Sequence, residues 1–181
     1  MSDSTHSISN ATLNKLRAAV LGANDGIVST ASVVMGVAGA TTDSQSIFMA
    51  GLAALVAGAL SMAVGEYVSV SSQRDAEIES ARHDKSHDGE FTNPWAAAFA
   101  SFFAFTVGGL IPFVSVVAAP GQTRILVTVL AVLVGLIATG YFSASVGKAS
   151  RTRAVLRVVV GGLVAMAITY FVGTLFGTTF A

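Results

Sequence analysis

The chain has 181 residues, of which 53% are hydrophobic and 11% charged; ten basic and ten acidic side chains give a formal net charge of zero. A soluble domain carries about 25% charged residues, so the composition points away from a soluble globular protein, and the lack of basic excess points away from a nucleic-acid binder. Cysteine is absent, which excludes disulfide scaffolds, thiolate metal sites and cysteine nucleophiles.

Residues 1–17 form a polar segment without a small-residue cleavage site, so a cleaved signal peptide is not expected. A membrane-crossing helix needs about 20 mostly apolar residues, and five stretches qualify. The first, about 18–40, is interrupted by Asn24 and Asp25. The second, about 47–70, is rich in small residues, and Gly51, Gly58 and Gly65 recur every seven positions, the pattern of a close helix-packing seam. A link of about 73–94 follows. It opens on helix formers from Gln73 to Glu79 that would carry the second helix into water, turns polar through Glu90, and ends on Asn93-Pro94, a cap and first residue for the next helix. The third span, about 96–118, holds Gly108-Gly109 and Pro112, where a bend is expected. A short turn, 118–121, leads to the fourth span at about 124–146, and the fifth runs over about 155–177. The expected fold is therefore an all-α integral membrane protein. It has one five-helix domain, 18–181, behind the polar segment, and no second soluble domain fits in the 73–94 link.

The basic residues give the direction. Lys15, Arg17, Arg74, Arg82, Lys85, Lys148, Arg151, Arg153 and Arg157 fall on one side, against Arg124 alone on the other. The positive-inside rule assigns the nine to the cytoplasm, with the N-terminus inside and, after five crossings, the C-terminus outside.

Eight of the ten acidic residues lie in loops or tails; Asp25 and Glu66 lie in spans. A carboxylate near the bilayer centre costs at least about 2.5–3.5 kcal/mol on insertion scales and marks a functional position by default. At 1.5 Å per residue, Asp25 lies roughly 10 Å, Met62 roughly 12 Å and Glu66 roughly 6 Å inside the cytoplasmic face. Asp25 and Met62 thus share a level, while Met62 and Glu66, four apart, share a helix face. Carboxylate oxygen suits Mn²⁺ and Fe²⁺, and thioether sulfur discriminates against Mg²⁺ and Ca²⁺; Met62 as core filler is the plainer alternative. Asn24, Ser29 and Ser32 are candidate lining residues beside Asp25. In the link, Asp75, Glu79 and His83 form an i, i+4 ladder and His87 follows four residues on. This set could gather divalent cations, although a hydrated loop of mixed charge explains the same residues. No phosphate-binding loop, H-E-x-x-H motif or nucleophile–base arrangement is visible, so neither an enzyme nor an ATP-driven pump is expected.

The runs Leu21-Gly22-Ala23-Asn24-Asp25-Gly26-Ile27-Val28-Ser29 and Ala57-Gly58-Ala59-Leu60-Ser61-Met62-Ala63-Val64-Gly65-Glu66-Tyr67-Val68-Ser69 resemble the vacuolar iron transporter family. So do Gln73-Arg74-Asp75, Asn93-Pro94-Trp95 and the stretch from Arg153 to Gly162. The resemblance runs from Leu16 over nearly the whole remaining chain. It implies a five-helix protomer, a homodimer with its path at the subunit interface, and export of Fe²⁺ or Mn²⁺ from the cytosol in exchange for protons. The pore Asp and Met of that family map onto Asp25 and Met62. Two departures stand out. Many members carry glutamate eight residues before the pore methionine, where this chain has Ala54. Most insert a long acidic helical domain between the second and third spans, where this chain has a short link.

The leading expectation is a secondary transporter whose cargo is Fe²⁺ or Mn²⁺, with H⁺ as the coupled ion and no permanently bound cofactor. A non-transporting membrane assembly protein of the same fold and a passive cation channel are the alternatives. Its partners would be the metal, the lipid bilayer and a second copy of the chain, without nucleic acid, and a bacterial cytoplasmic membrane is the expected location.

Overall fold

The computed structural model describes residues 10–83, 91–147 and 149–180. They form five helices and, among these residues, no strands: α1 (Asn10–Ala40), α2 (Ser44–His83), α3 (Pro94–Ala118), α4 (Arg124–Val146) and α5 (Arg151–Phe180). All five are long and apolar enough to cross a membrane, and the protein is an all-α integral membrane protein.

The helices alternate in direction. Ala18, Val70 and Ala97 meet at one end of the bundle, joining the start of α1, the late part of α2 and the start of α3. Val34, Ile47 and Val116 meet at the other end. Consecutive helices are therefore antiparallel, and α1, α3 and α5 are parallel. The described members of the nine-residue basic set lie at the first end, and Arg124 lies at the second. Tyr67, Trp95 and Phe99 pack together at the basic end, with Tyr67 and Trp95 centroids 4.8 Å apart. Arg151 covers the Tyr141 ring at 4.6 Å. Aromatic and basic side chains of this kind mark a membrane–water boundary.

The helix with the weakest hydropathy is the central one. α1 touches all four others, which follow one another around it as α2, α3, α4 and α5. Among the described residues α2 and α5 do not meet, so the arc is open between them. The outward surface is studded with exposed Val64, Phe103, Val107, Val134, Phe142 and Phe171, a lipid-facing surface that water would not tolerate at this extent.

Close approach to α1 depends on residues without a side chain. A Cβ on Gly22 would lie 2.7 Å from the Ser101 carbonyl oxygen, and one on Gly26 would collide with the Phe105 backbone. In return, a Cβ on Gly108 would collide with the Ala23 backbone, and on the α5 side one on Gly173 would collide with the backbone of Gly36. Gly108 and Gly109 thus serve close contact, and α3 is unbroken through Pro112. The heptad seam expected on α2 is not continuous. Gly51 packs on Val34 and Phe113 and Gly58 on the Phe105 ring, whereas nothing lies within 4 Å of a Cβ on Gly65. An ideal helix drifts about 20° per heptad, which carries successive glycines off one line.

Caps set the ends. Asn93 Oδ1 accepts from the Ala96 amide at 3.1 Å, with Pro94 at the first helical position. Asp43 Oδ2 accepts from the Ser46 amide at 2.7 Å at the start of α2. The forty residues of α2 make about 60 Å of helix, twice the hydrocarbon thickness of about 30 Å. Its polar last turns, after Val70, therefore project from the bilayer, as the helix formers from Gln73 onward led one to expect.

Two outcomes follow. Gly108→Val should destabilise the protein by about 1–3 kcal/mol through overpacking, whereas Gly161→Ala, with open space around its Cβ, should be neutral or stabilising; equilibrium unfolding in detergent compares them. The hydrogen bonds from Ser46 hold the Asp43 carboxyl below its ordinary value. A carboxylate with a lowered folded pKa stabilises above its unfolded value, about 3.9, and loses that contribution as pH falls through the folded value. Hydrogen exchange at the Ser46 amide should accelerate relative to that of Ala96 in this acid window, and Asp43→Asn should flatten the dependence.

Candidate functional site

Asp25 sits in the middle of α1 at a half-buried position. Among the described residues it makes no hydrogen bond or ion pair. Around it α1 is polar: Asn24 Oδ1, Ser29 Oγ, Thr30 Oγ1 and Ser32 Oγ are buried without a hydrogen-bond partner. The buried stripe of α1 (Gly22, Gly26, Thr30, Ala31, Val34) faces α3 and its neighbours. Asp25, Ser29 and Ser32 lie on the less covered side, with Leu21 and Val33 exposed at 46% and 40%. That side of α1 meets the opening between α2 and α5.

Met62 is on the inner face of α2, half-buried against Leu55, Ala59 and Phe105. Phe105 is the hinge of this region, since its backbone abuts Gly26 beside Asp25 and its ring abuts Gly58 one turn from Met62. One aromatic residue of α3 thus touches both helices that carry the candidate ligands. Phe105 was not among the residues singled out from sequence: it is one of several phenylalanines in its span, and only the fold sets it against Gly26 and Gly58. Ala54, where a glutamate stands in many family members, is half-buried on α2.

Glu66 is buried, at 6% exposure. Arg17 Nη2 lies 3.5 Å from its Oε2, joining the first turns of α1 to α2. The Arg17 side chain is itself 55% exposed. The same depth arithmetic that aligned Asp25 with Met62 puts Arg17 within reach of Glu66, so this pairing was legible and overlooked. A crevice of about 690 Å³ opens at the basic end, lined by Arg17, Val20, Leu21, Asn24, Thr139 and Ser143 among others. Asn24 belongs to this crevice, around the helix from Asp25.

The link residues divide. α2 continues as helix to His83, which keeps Asp75, Glu79 and His83 in i, i+4 register. Asp75 and Glu79 are exposed, and Glu79 pairs with Arg82 at 3.0 Å. The side chain of His83 and all of His87 lie outside the described residues. Among the described residues, no group of three or more His, Cys, Asp or Glu side chains comes together. A neighbour not singled out from sequence, Glu77, accepts from the Thr92 amide at 2.9 Å and from its hydroxyl at 3.1 Å, tying the projecting end of α2 to the start of α3.

Arg17→Gln leaves the buried Glu66 carboxylate without its cation. The expected cost is about 1–2 kcal/mol, below the 3–5 of a fully buried pair because Arg17 is more than half exposed. Adding Glu66→Gln should recover part of the loss. A double-mutant cycle on unfolding checks this, and strictly additive costs would show that the contact carries no coupling.

The VIT family profile matches residues 16–88 and 79–174. Among curated relatives, a vacuolar iron transporter homolog 2 of Oryza sativa subsp. japonica is 44% identical over 174 residues, covering 91% of this chain and 92% of the relative. The Arabidopsis thaliana protein named vacuolar iron transporter homolog 2 is 43% identical over 165 residues, with 90% and 84% covered. A VIT-like transporter 1b of Glycine max is 38% identical over 176 residues, with 91% and 77% covered. The near end-to-end match with the rice protein leaves no room for a long inserted domain, so the short link is not peculiar to this chain. These relatives are plant proteins, several with a vacuole in their names, and they give no support to the bacterial cytoplasmic membrane expected from sequence. Matched along nearly all of its length, this chain belongs to the VIT family, a family of membrane transporters.

Proposed function

We propose that the protein moves divalent iron or manganese out of the cytosol, in exchange for protons, as a homodimer. The observation that carries this reading is Asp25: a carboxylate in the middle of the central membrane helix, unpaired, and on the side of α1 where the arc of helices is open. A charge so placed is costly in lipid; a cation and a covering surface would both lower that cost. The relatives named iron transporters support metal as the cargo.

In this reading Asp25 binds the metal and takes a proton when the metal leaves, because metal and proton compete for one carboxylate. Met62, on the wall shared through Phe105, favours a first-row ion over Mg²⁺ or Ca²⁺. Arg17 occupies Glu66 between transport events, and a divalent ion arriving from the cytosol displaces this single tethered charge. The basic end faces the cytosol by the positive-inside rule. A proton gradient supplies the driving force, and lipid surrounds the assembly. The exposed Asp75 and Glu79 serve at most as a loose collecting surface.

Asp25→Asn should abolish metal-coupled proton movement in proteoliposomes while the protein stays folded by circular dichroism and gel filtration. Retained coupling in that variant overturns the role of Asp25. In the unaltered protein, metal flux without counter-movement of protons would identify a passive channel. Flux no greater than in empty liposomes would identify a non-transporting assembly protein.

A further inference from the structure

The end of the bundle opposite the basic end carries one basic residue, Arg124, and it does not reach into solvent. It is 9% exposed. Its Nη2 donates to Ser44 Oγ at 2.8 Å, and its Nε is buried without a partner. Among the described residues no carboxylate pairs with it. Asp43, the acid at this end, is exposed and accepts from the Ser46 amide. A guanidinium withdrawn from water and met by one neutral hydroxyl is under-compensated, and its missing partner is an anion.

A second feature meets it. Arg124 is the first residue of α4, and Thr123 before it provides no side-chain cap. The first-turn amides of α4 therefore lack the acceptor that Asn93 supplies to α3 and Asp43 to α2. Helix N-termini of this kind favour negative charge through their free amides and their dipole. Between them lies a cavity of about 120 Å³, lined by Arg124, Ile125, Gly121, Thr41 and Thr42 among others. Thr41 Oγ1 accepts from the Asp43 amide at 3.1 Å, which leaves its own hydroxyl hydrogen as a donor. A single water needs about 10–15 Å³ of such space, so the cavity has room for a small tetrahedral oxyanion.

We propose that this pocket, formed by the end of α1, the α3–α4 turn and the first turn of α4, binds a phosphate group through Arg124, with Thr41 and the α4 amides as further donors. The group could come from free inorganic phosphate or from the headgroup of a phospholipid in the adjoining leaflet. The site does not depend on the transport reading, and its test needs no metal.

The test measures thermal unfolding of the detergent-purified, delipidated full chain, at fixed ionic strength, against sodium phosphate and separately against micelles doped with phosphatidylglycerol. Saturable stabilisation by phosphate, about 3–6 °C at ten times the dissociation constant, supports the free anion. Stabilisation by the doped micelles alone supports the headgroup. In either case Arg124→Gln should lose the shift and Ser44→Ala should weaken it. Should Arg124→Gln fail to fold, saturable ³¹P line broadening of phosphate or lipid by the unaltered protein, competed by sulfate, decides the matter. No shift and no broadening with either probe, or equal shifts with Arg124→Gln, would overturn the proposal and leave Arg124 as a strut between α2 and α4.

Discussion

The structure turns on the need to keep α1 out of lipid. In one stretch this helix carries Asn24, Asp25, Ser29, Thr30 and Ser32, and a bilayer offers none of them a partner. Surrounding α1 with four helices meets that need, and the approach is close because glycine stands wherever a side chain would intervene. Gly22 and Gly26 admit α3, Gly108 admits the backbone of α1, and Gly173 admits the backbone of α1 at Gly36. Helix association in membranes rests on van der Waals contact rather than on a hydrophobic driving force, so these approaches supply much of what holds the bundle together. The other helices spend their apolar residues outward on lipid, which is why so many large side chains are exposed.

The same constraint separates two carboxylates that look alike in sequence. Glu66 lies near the basic end, where Arg17 reaches it from the first turns of α1 and gives the buried acid a cationic partner. Asp25 lies two turns beyond Arg17 on the same helix, about 12 Å along the axis, and the charged residues nearest to it in sequence, Arg17 and Asp43, sit near opposite ends of α1. An acid held by a fixed cation suits a gate or a joint, and an unpaired one suits a mobile cation. Their environments, not their residue types, set them apart.

Much of this was legible in the sequence. Five apolar stretches gave five helices, Asn93-Pro94 gave the start of α3, and the helix formers after Gln73 gave the projecting end of α2. Asp25 stood out because charge is rare in a span. Neighbour relations were hidden. Hydropathy ranked the first span weakest, and nothing in that ranking shows that weakness goes with the central place. Gly51, Gly58 and Gly65 looked like one seam because a repeat of seven is close to two helical turns, but the drift from 3.6 residues per turn and the local position of α3 leave Gly65 unfaced. Phe105 was invisible as a site residue because its importance lies in what it touches on two other helices. Arg17 could have been paired with Glu66 by depth alone; assigning every basic residue to topology obscured a second use for one of them.

The open side of the arc gives the proposed homodimer its physical reason. Lipid tails could fill the space between α2 and α5, but they would leave a half-buried carboxylate beside hydrocarbon. A second copy with the same open side would cover both carboxylates at once. The outward face of α2 suits such a contact, since Ala53, Ala57, Ser61 and Gly65 fall four apart along it and all are exposed, a small-residue row that permits close helix approach. A two-fold arrangement would also balance the charge. One Asp25 in a protomer cannot neutralise a divalent ion, and two Asp25 side chains without an ion repel each other. Paired across the axis of the proposed dimer, they would carry together the charge that one Fe²⁺ or Mn²⁺ balances, and the loaded site would be neutral at the depth where the bilayer tolerates charge least.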